Sequence, residues 1–281
     1  PLVSSSAASD VYKRQVIVFS VIINMFIIMR SRAMDLISLN FKDRSLLFAN
    51  LARIAYYNID KAKSQAKKLG FSTIEFYDKK GAQAYRFMNK TDLVIACRGT
   101  EPTCWNDISA DLKAIPVMSE TISRVHKGFK EEVDELWPMV CEDINRKTNL
   151  KKNLWFCGHS LGGAMATIMA SRAKFNDELN DPVELYTYGS PRVGWKKYVK
   201  SLEVKHHRWR NNNDIVTKVP LWIMGYRHHG TLHYITSDNK IGKPGFKDWC
   251  KGMWAGIKAR KFDSIGDHDI IAYHTNISEA M

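Results

Sequence analysis

Apolar residues recur at helical spacing over residues 44–57, where SLLFANLARIAYY predicts a helix. A polar helical stretch follows at 61–68, and Gly70 ends it. Residues 73–77 and 84–88 alternate as two paired strands do, around a turn at Lys79, Lys80 and Gly81. Continuous apolar runs at 92–97 and 154–157 each end in a glycine-bearing loop, which predicts buried strands. A long helix is predicted at 125–145 and a small-residue helix at 161–175. Further strands are predicted at 184–188, 206–210 and 233–236, the last near a sheet edge. Residues 247–273 read as loop-rich with short helices. Alternating strands and helices through the middle of the chain predict an α/β fold: a mostly parallel central sheet with helices on both faces. There is no internal repeat and no low-complexity segment.

Composition sharpens this picture in three places. With 281 residues and 45% apolar side chains, the chain can bury a sizeable core without disulfide staples. Its five cysteines are widely spaced and form no CxxC pair, which argues against a disulfide framework or zinc site and fits reduced thiols. A net charge of +13 asks for an acidic partner: nucleic acid, an anionic membrane surface or an acidic substrate. The basic residues are scattered, and no run is as dense as a nucleic-acid arm, so nucleic acid is not expected. Near the start, residues 16–29 form an apolar run flanked by Lys13, Arg14, Arg30 and Arg32. It is short for a bilayer span, which needs roughly 20 residues. Its length suits a signal-peptide core or an interfacial anchor. A cytoplasmic or peripheral-membrane location is favoured, with secretion the alternative if residues 16–29 are a signal-peptide core.

The sharpest chemical feature is Gly158-His159-Ser160-Leu161-Gly162-Gly163. It leaves a predicted strand and opens a predicted helix, the context of a nucleophile elbow. Bulky residues at positions 158 and 162 would crowd the neighbouring backbone. The helix N-terminus offers partial positive charge where an oxyanion develops. A serine hydroxyl is a weak nucleophile alone and needs a base, which in turn needs an orienting carboxylate. In this fold the chain order is Ser, Asp, His. Asp214 stands just after the 206–210 strand, with Asp181 and Asp238 as rivals in polar turns. Among the later histidines, His268 and His274 compete, and position alone does not separate them. His206, His207, His228, His229 and His233 lack carboxylate or HExxH spacing, so no metal site is expected.

Seven pieces of the chain, in order, carry a resemblance: CRGT (97–100), VHKGF (125–129), GHSLGGAMA (158–166), TYGSPRVG (187–194), NDIVTKVP (213–220), YRHHG (226–230) and DHDIIAY (267–273). Over roughly residues 45–275 the chain resembles the class 3 lipases, the fungal-lipase-like α/β-hydrolases. The resemblance implies an α/β-hydrolase catalytic domain over 34–281, behind an N-terminal extension of 1–33. It implies Ser160 as nucleophile, Asp214 as acid and His268 as base, with the N–H groups of Thr100 and Leu161 forming the oxyanion hole. It also implies a lid directly after Thr100, at about 101–110, with Trp105 and His159 at the lid and substrate. Glu101, Asn106, Asp107 and Ser109 make that segment polar, which argues against a large hydrophobic lid.

The implied activity is hydrolysis of carboxylic esters through an acyl-enzyme, with lipid esters such as acylglycerols as substrates and no cofactor. Phospholipase A1-type cleavage and short-chain or feruloyl-type esterase activity are the alternatives. A hydrolase-fold protein that only binds lipid or nucleic acid is the non-enzyme alternative. A lipid–water or anionic membrane surface is the expected partner, and the sequence leaves the oligomeric state open.

Overall fold

The two continuous apolar runs lie side by side. Strand β3 (Asp92–Cys97) pairs in parallel with β6 (Asn153–His159), with Cys97 opposite Gly158. The computed structural model describes residues 35–99, 114–243 and 266–281. The described residues belong to one compact unit, Asp35–Met281. Ahead of β3, the hairpin β1 (Thr73–Lys79) and β2 (Ala82–Met88) turns at Lys80 and Gly81, both at positive φ. Beyond β6 come β7 (Pro182–Tyr188), β9 (His206–Asn211), β11 (Thr231–Ile235) and the edge strand β12 (Ile241–Gly242). The sheet order is β1-β2-β3-β6-β7-β9-β11-β12. The five strands from β3 to β11 run parallel, and β1, β2 and β12 supply the antiparallel margins. The fold is that of an α/β-hydrolase, a mostly parallel sheet covered on both faces.

One face carries α1 (Phe41–Ile54) and α6 (Ile270–Ala280); the other carries α3 (Lys127–Ile144) and α4 (Leu161–Lys174), and the short α5 (Lys196–Ser201) lies between β7 and β9 in the chain. Helix α1 starts at Asn40, whose side chain accepts from the Asp43 N–H at 2.9 Å, satisfying one orphan donor of the first turn. Its Phe48 stacks on Tyr186 with centroids 4.4 Å apart. Asn58 caps α2 (Ile59–Lys68) in the same way. Helix α4 is buried almost all round, and its Gly and Ala positions let it lie close to the sheet and to α3.

Two elements escape the hydrophobic pattern. A second, four-stranded sheet is ordered β10-β8-β5-β4. It consists of β4 (Pro116–Met118), β5 (Arg124–His126), β8 (Gly194–Trp195) and β10 (Tyr226–Arg227). Strands of two or three residues are too short to show alternation. The other is α6, whose first residues fall in a stretch read as loop-rich; its buried side chains are only Ile270, Tyr273 and Ile277. The strand expected near an edge at 233–236 is β11, which β12 covers. Among the described residues no helix is long and apolar enough to cross a membrane, and residues 16–29 lie outside them.

Candidate active site

Ser160 sits between β6 and α4 at φ 58°, ψ −132°, a backbone region that L-residues rarely adopt. The bend is this tight because its neighbours are glycines. A Cβ on Gly158 would collide with the Gly162 carbonyl, and one on Gly162 with the Cys97 carbonyl. Leu161 opens α4, so its N–H belongs to the first turn and has no acceptor inside the helix.

His268 Nε2 lies 2.8 Å from Ser160 Oγ, and His268 Nδ1 lies 2.9 Å from Asp214 Oδ2. All three side chains are buried. A carboxylate only accepts, so Nδ1–H donates to Asp214, and in the neutral ring Nε2 then accepts from the Ser160 hydroxyl. Asp214 has two further donors: the Val216 N–H to Oδ1 at 2.9 Å and the Tyr273 hydroxyl to Oδ2 at 2.6 Å. Burial, then the Asp214 charge, pushes the Tyr273 phenol well above its usual range, so it stays protonated and donates.

His268 is held in place by a clamp between α6 and β9. The Tyr273 oxygen accepts from the Asn211 N–H at 2.9 Å. The Asn211 amide donates to the Asp267 carbonyl, and Asn212 and the Asn213 N–H both donate to the Asp267 carboxylate. The NNN run before Asp214 thus holds the loop that carries His268. Asp269 caps α6 by accepting from the Ile271 N–H. His274, the rival base, faces away toward α1, with Nε2 2.9 Å from the Asn50 amide nitrogen. Asp181 and Asp238 are engaged by Lys174 and by Thr236 on the surface.

His159, expected at the lid and substrate, is placed otherwise: it is buried and both ring nitrogens are occupied by protein groups. Nε2 is 2.6 Å from the His268 carbonyl oxygen and Nδ1 is 2.8 Å from the Tyr56 hydroxyl. The carbonyl must accept, so Nε2 carries the proton and Nδ1 accepts from Tyr56. Burial, then the nearby His268, pushes the His159 imidazole well below its ordinary value and keeps it neutral. It ties the backbone of His268 to the elbow. Thr100, Trp105 and the rest of 100–113 lie outside the described residues.

Two glycines let the parts meet. A Cβ at Gly99 would stand 2.6 Å from the His159 carbonyl oxygen and 3.2 Å from Ser160 Cβ, so the backbone leaving β3 passes at Gly99 directly beside Ser160. Gly189 has φ +60°, and a Cβ there would lie 2.7 Å from Asp214 Oδ2 and 2.9 Å from His268 Nδ1. It is the floor on which the Asp–His pair rests. Tyr273, Gly189, the Asn run and the role of His159 were missed in the sequence. The one signal for them was that Gly189 and Tyr273 fall inside the TYGSPRVG and DHDIIAY pieces. A cleft of about 200 Å³, lined by Gln83, Arg98, Gly99, Glu132, Leu161 and Met165 among others, opens beside the elbow. Cys157, next to the elbow on β6, is buried, and burial raises its thiol well above the usual range. Among the described residues no cluster of three His, Cys, Asp or Glu side chains has the arrangement of a metal site.

A parallel sheet with a strained serine between strand and helix, and an imidazole and a carboxylate lined up behind it, defines an α/β-hydrolase. Residues 94–224 match the family described as lipase (class 3). Over that stretch the chain is similar to the class 3 lipases. Among curated relatives, the toxin TseL of Vibrio cholerae is 36% identical over 121 residues, which are 41% of this chain and 18% of TseL. A lipase of Rhizomucor miehei is 33% identical over 141 residues, 46% of this chain and 38% of that protein. The chain thus spans well under half the length of these relatives. The solved structure of the Rhizomucor miehei triacylglyceride lipase superposes with a TM-score of 0.65 at 21% identity, covering 84% of this chain and 95% of that one, a likeness of fold.

Proposed function

We propose that the protein hydrolyses carboxylic esters of lipids through a covalent acyl-enzyme. The observation that carries this reading is the unbroken hydrogen-bonded chain from Ser160 through His268 to Asp214, at 2.8 and 2.9 Å. Ser160 Oγ attacks the ester carbonyl carbon while its proton passes to His268 Nε2. Asp214 holds the ring in the tautomer this requires and stabilises the imidazolium that forms. The carbonyl oxygen becomes an oxyanion, to which the Leu161 N–H donates. Thr100, next to Gly99 in the sequence, is the second donor in this reading. One such donor is worth about 3 kcal/mol of transition-state stabilisation. His268 then gives its proton to the departing alkoxide. A water deprotonated by the same ring attacks the acyl-enzyme, releasing the acid and restoring Ser160.

The 33%-identical lipase of Rhizomucor miehei supports lipid esters as the substrate class. The test is labelling with a fluorophosphonate probe, followed by an ester panel of increasing acyl length above and below the solubility limit. Wild type should label and Ser160→Ala should not. Equal labelling of both, or turnover that survives in Ser160→Ala, removes the reading. His268→Ala should abolish turnover and His274→Ala should not.

A further inference from the structure

The chain that leaves Asp214 runs straight into an apolar projection. Leu221, Trp222, Ile223 and Met224 are consecutive and all well exposed, Trp222 at 62% and Ile223 at 69%. Ile215, directly after Asp214, is half exposed too, so the apolar surface begins beside the triad acid. Soluble surfaces scatter such residues singly; a contiguous set beside a site marks a surface that meets something apolar. Trp222 and Ile223 lie on a single 3₁₀ turn that ends at Gly225, and the tip buries none of its own side chains.

The rim of this tip is cationic. Arg227 lies over the Trp222 ring at 5.9 Å and donates to the Trp222 and Tyr226 carbonyls. Arg192 donates to the Lys218 and Pro220 carbonyls. Arg210 is near enough to act on the charges of both Arg192 and Lys218, so these cations form one group. Among the described residues none of these four has a carboxylate within ion-pair distance. The carboxylates that act on Lys218, Asp214 and Asp267, are already engaged by Tyr273 with His268 and by Asn212 with Asn213. Burial, then the charges of Arg210 and Arg227, lowers the Arg192 guanidinium from its usual value. The sequence carries the same asymmetry. Residues 185–237 hold nine Lys or Arg against two acids, a surplus of seven out of the chain's net +13.

We propose that the 221–224 tip with its Arg192, Arg210, Lys218 and Arg227 rim is a docking surface that seats the protein on an anionic phospholipid bilayer. Trp222 and Ile223 enter the interfacial layer, and the four cations lie among the headgroup phosphates. An apolar tip ringed by cations is what an anionic bilayer complements in both chemistry and depth. Because the exposed Ile215 and the tip both follow Asp214 closely in the chain, docking brings the Ser160 site to the lipid surface. That consequence rests on the ester-hydrolase reading; the binding itself does not.

The experiment uses the full chain with Ser160→Ala, so that the vesicles stay intact. It compares phosphatidylcholine vesicles with vesicles containing about one third phosphatidylglycerol, by co-sedimentation at low and high salt. Tighter binding to the anionic vesicles is expected, and salt should weaken it. Trp222→Ser with Ile223→Ser should lower the partition coefficient at least about tenfold on both compositions. Arg227→Gln should lower it about fivefold, on anionic vesicles only. Hydrogen exchange of the unsubstituted loop guards against a misfolded variant: amides at 221–225 should gain protection on anionic vesicles. Unchanged partition of the double variant, or lipid-dependent protection confined to other segments such as 16–29, overturns the proposal. Turnover of a soluble ester by the Ser160 protein is read separately. Its absence would remove the hydrolase reading and leave the docking result standing.

Discussion

Tyr273 donates its hydroxyl to Asp214 Oδ2, the same carboxylate oxygen that receives His268 Nδ1–H. The phenol also accepts from the Asn211 N–H, so one side chain joins α6, β9 and the acid. Tyr273→Phe leaves a buried N–H without an acceptor and the carboxylate with one fewer donor, at a cost of about 1–3 kcal/mol. A loss of that size lowers the thermal midpoint by several degrees in a domain of this size, since about 1 kcal/mol corresponds to roughly 2–4 °C. We expect kcat to fall about tenfold with little change in KM, because the imidazole loses orientation and the substrate loses no contact. An unchanged kcat in a folded variant would show that Asp214 needs no help from Tyr273.

Gly189 sets a second test. Alanine there would place a Cβ 2.7 Å from Asp214 Oδ2 at a φ of +60°, so both the pair and the backbone must shift. A displacement of reacting groups by about 1 Å costs on the order of a hundredfold in rate. Gly189→Ala should therefore label with fluorophosphonate at least about a hundredfold more slowly than wild type. Circular dichroism should report an intact fold. Labelling at the wild-type rate would mean that the Asp–His pair does not rest on this glycine.

The pH dependence of stability follows from the buried histidines. Burial pushes His126, His233 and His274 down to about 4, and His159, His206 and His228 well below 6.5. Between those values and 6.5 the unfolded chain binds protons that the folded chain refuses. Stability from this source is complete above about 6.5 and declines as the pH drops toward 4. Glu184 acts lower still. Burial opposes its charge, but the nearby His207 ring, hydrogen bonds from Lys205 and Tyr186 and the Arg44 charge hold it at about 2. Its contribution is lost only between the ordinary carboxylate range and that value. The thermal midpoint should therefore fall between pH 7 and 5, before carboxylates protonate, and His274→Gln should reduce the slope. A midpoint that stays flat over that interval refutes this account.

The elbow was legible in the sequence because its signal is local: strand, glycine, serine, glycine and helix lie within a few residues. The parallel sheet was legible for the same reason, since 92–97 and 154–157 are continuous apolar runs. Asp214 and His268 needed the family pattern, as residue type and order left His274 open. What stayed hidden are contacts between distant segments. His159 reaches a carbonyl 109 residues away, and Tyr273 a carboxylate 59 residues away. Nothing in the spacing around either residue announces those partners. His159 stands beside the nucleophile in sequence, which invites a substrate role, yet β6 turns it under the His268 backbone.

The wide separation of nucleophile and base has a temporal consequence. Ser160 and His268 are 108 positions apart, and the base arrives only when Tyr273 and Asp267 engage the asparagines after β9. A chain growing from its N-terminus carries Ser160 long before His268. The Ser160–His268–Asp214 arrangement is therefore complete only once α6 has seated against β9.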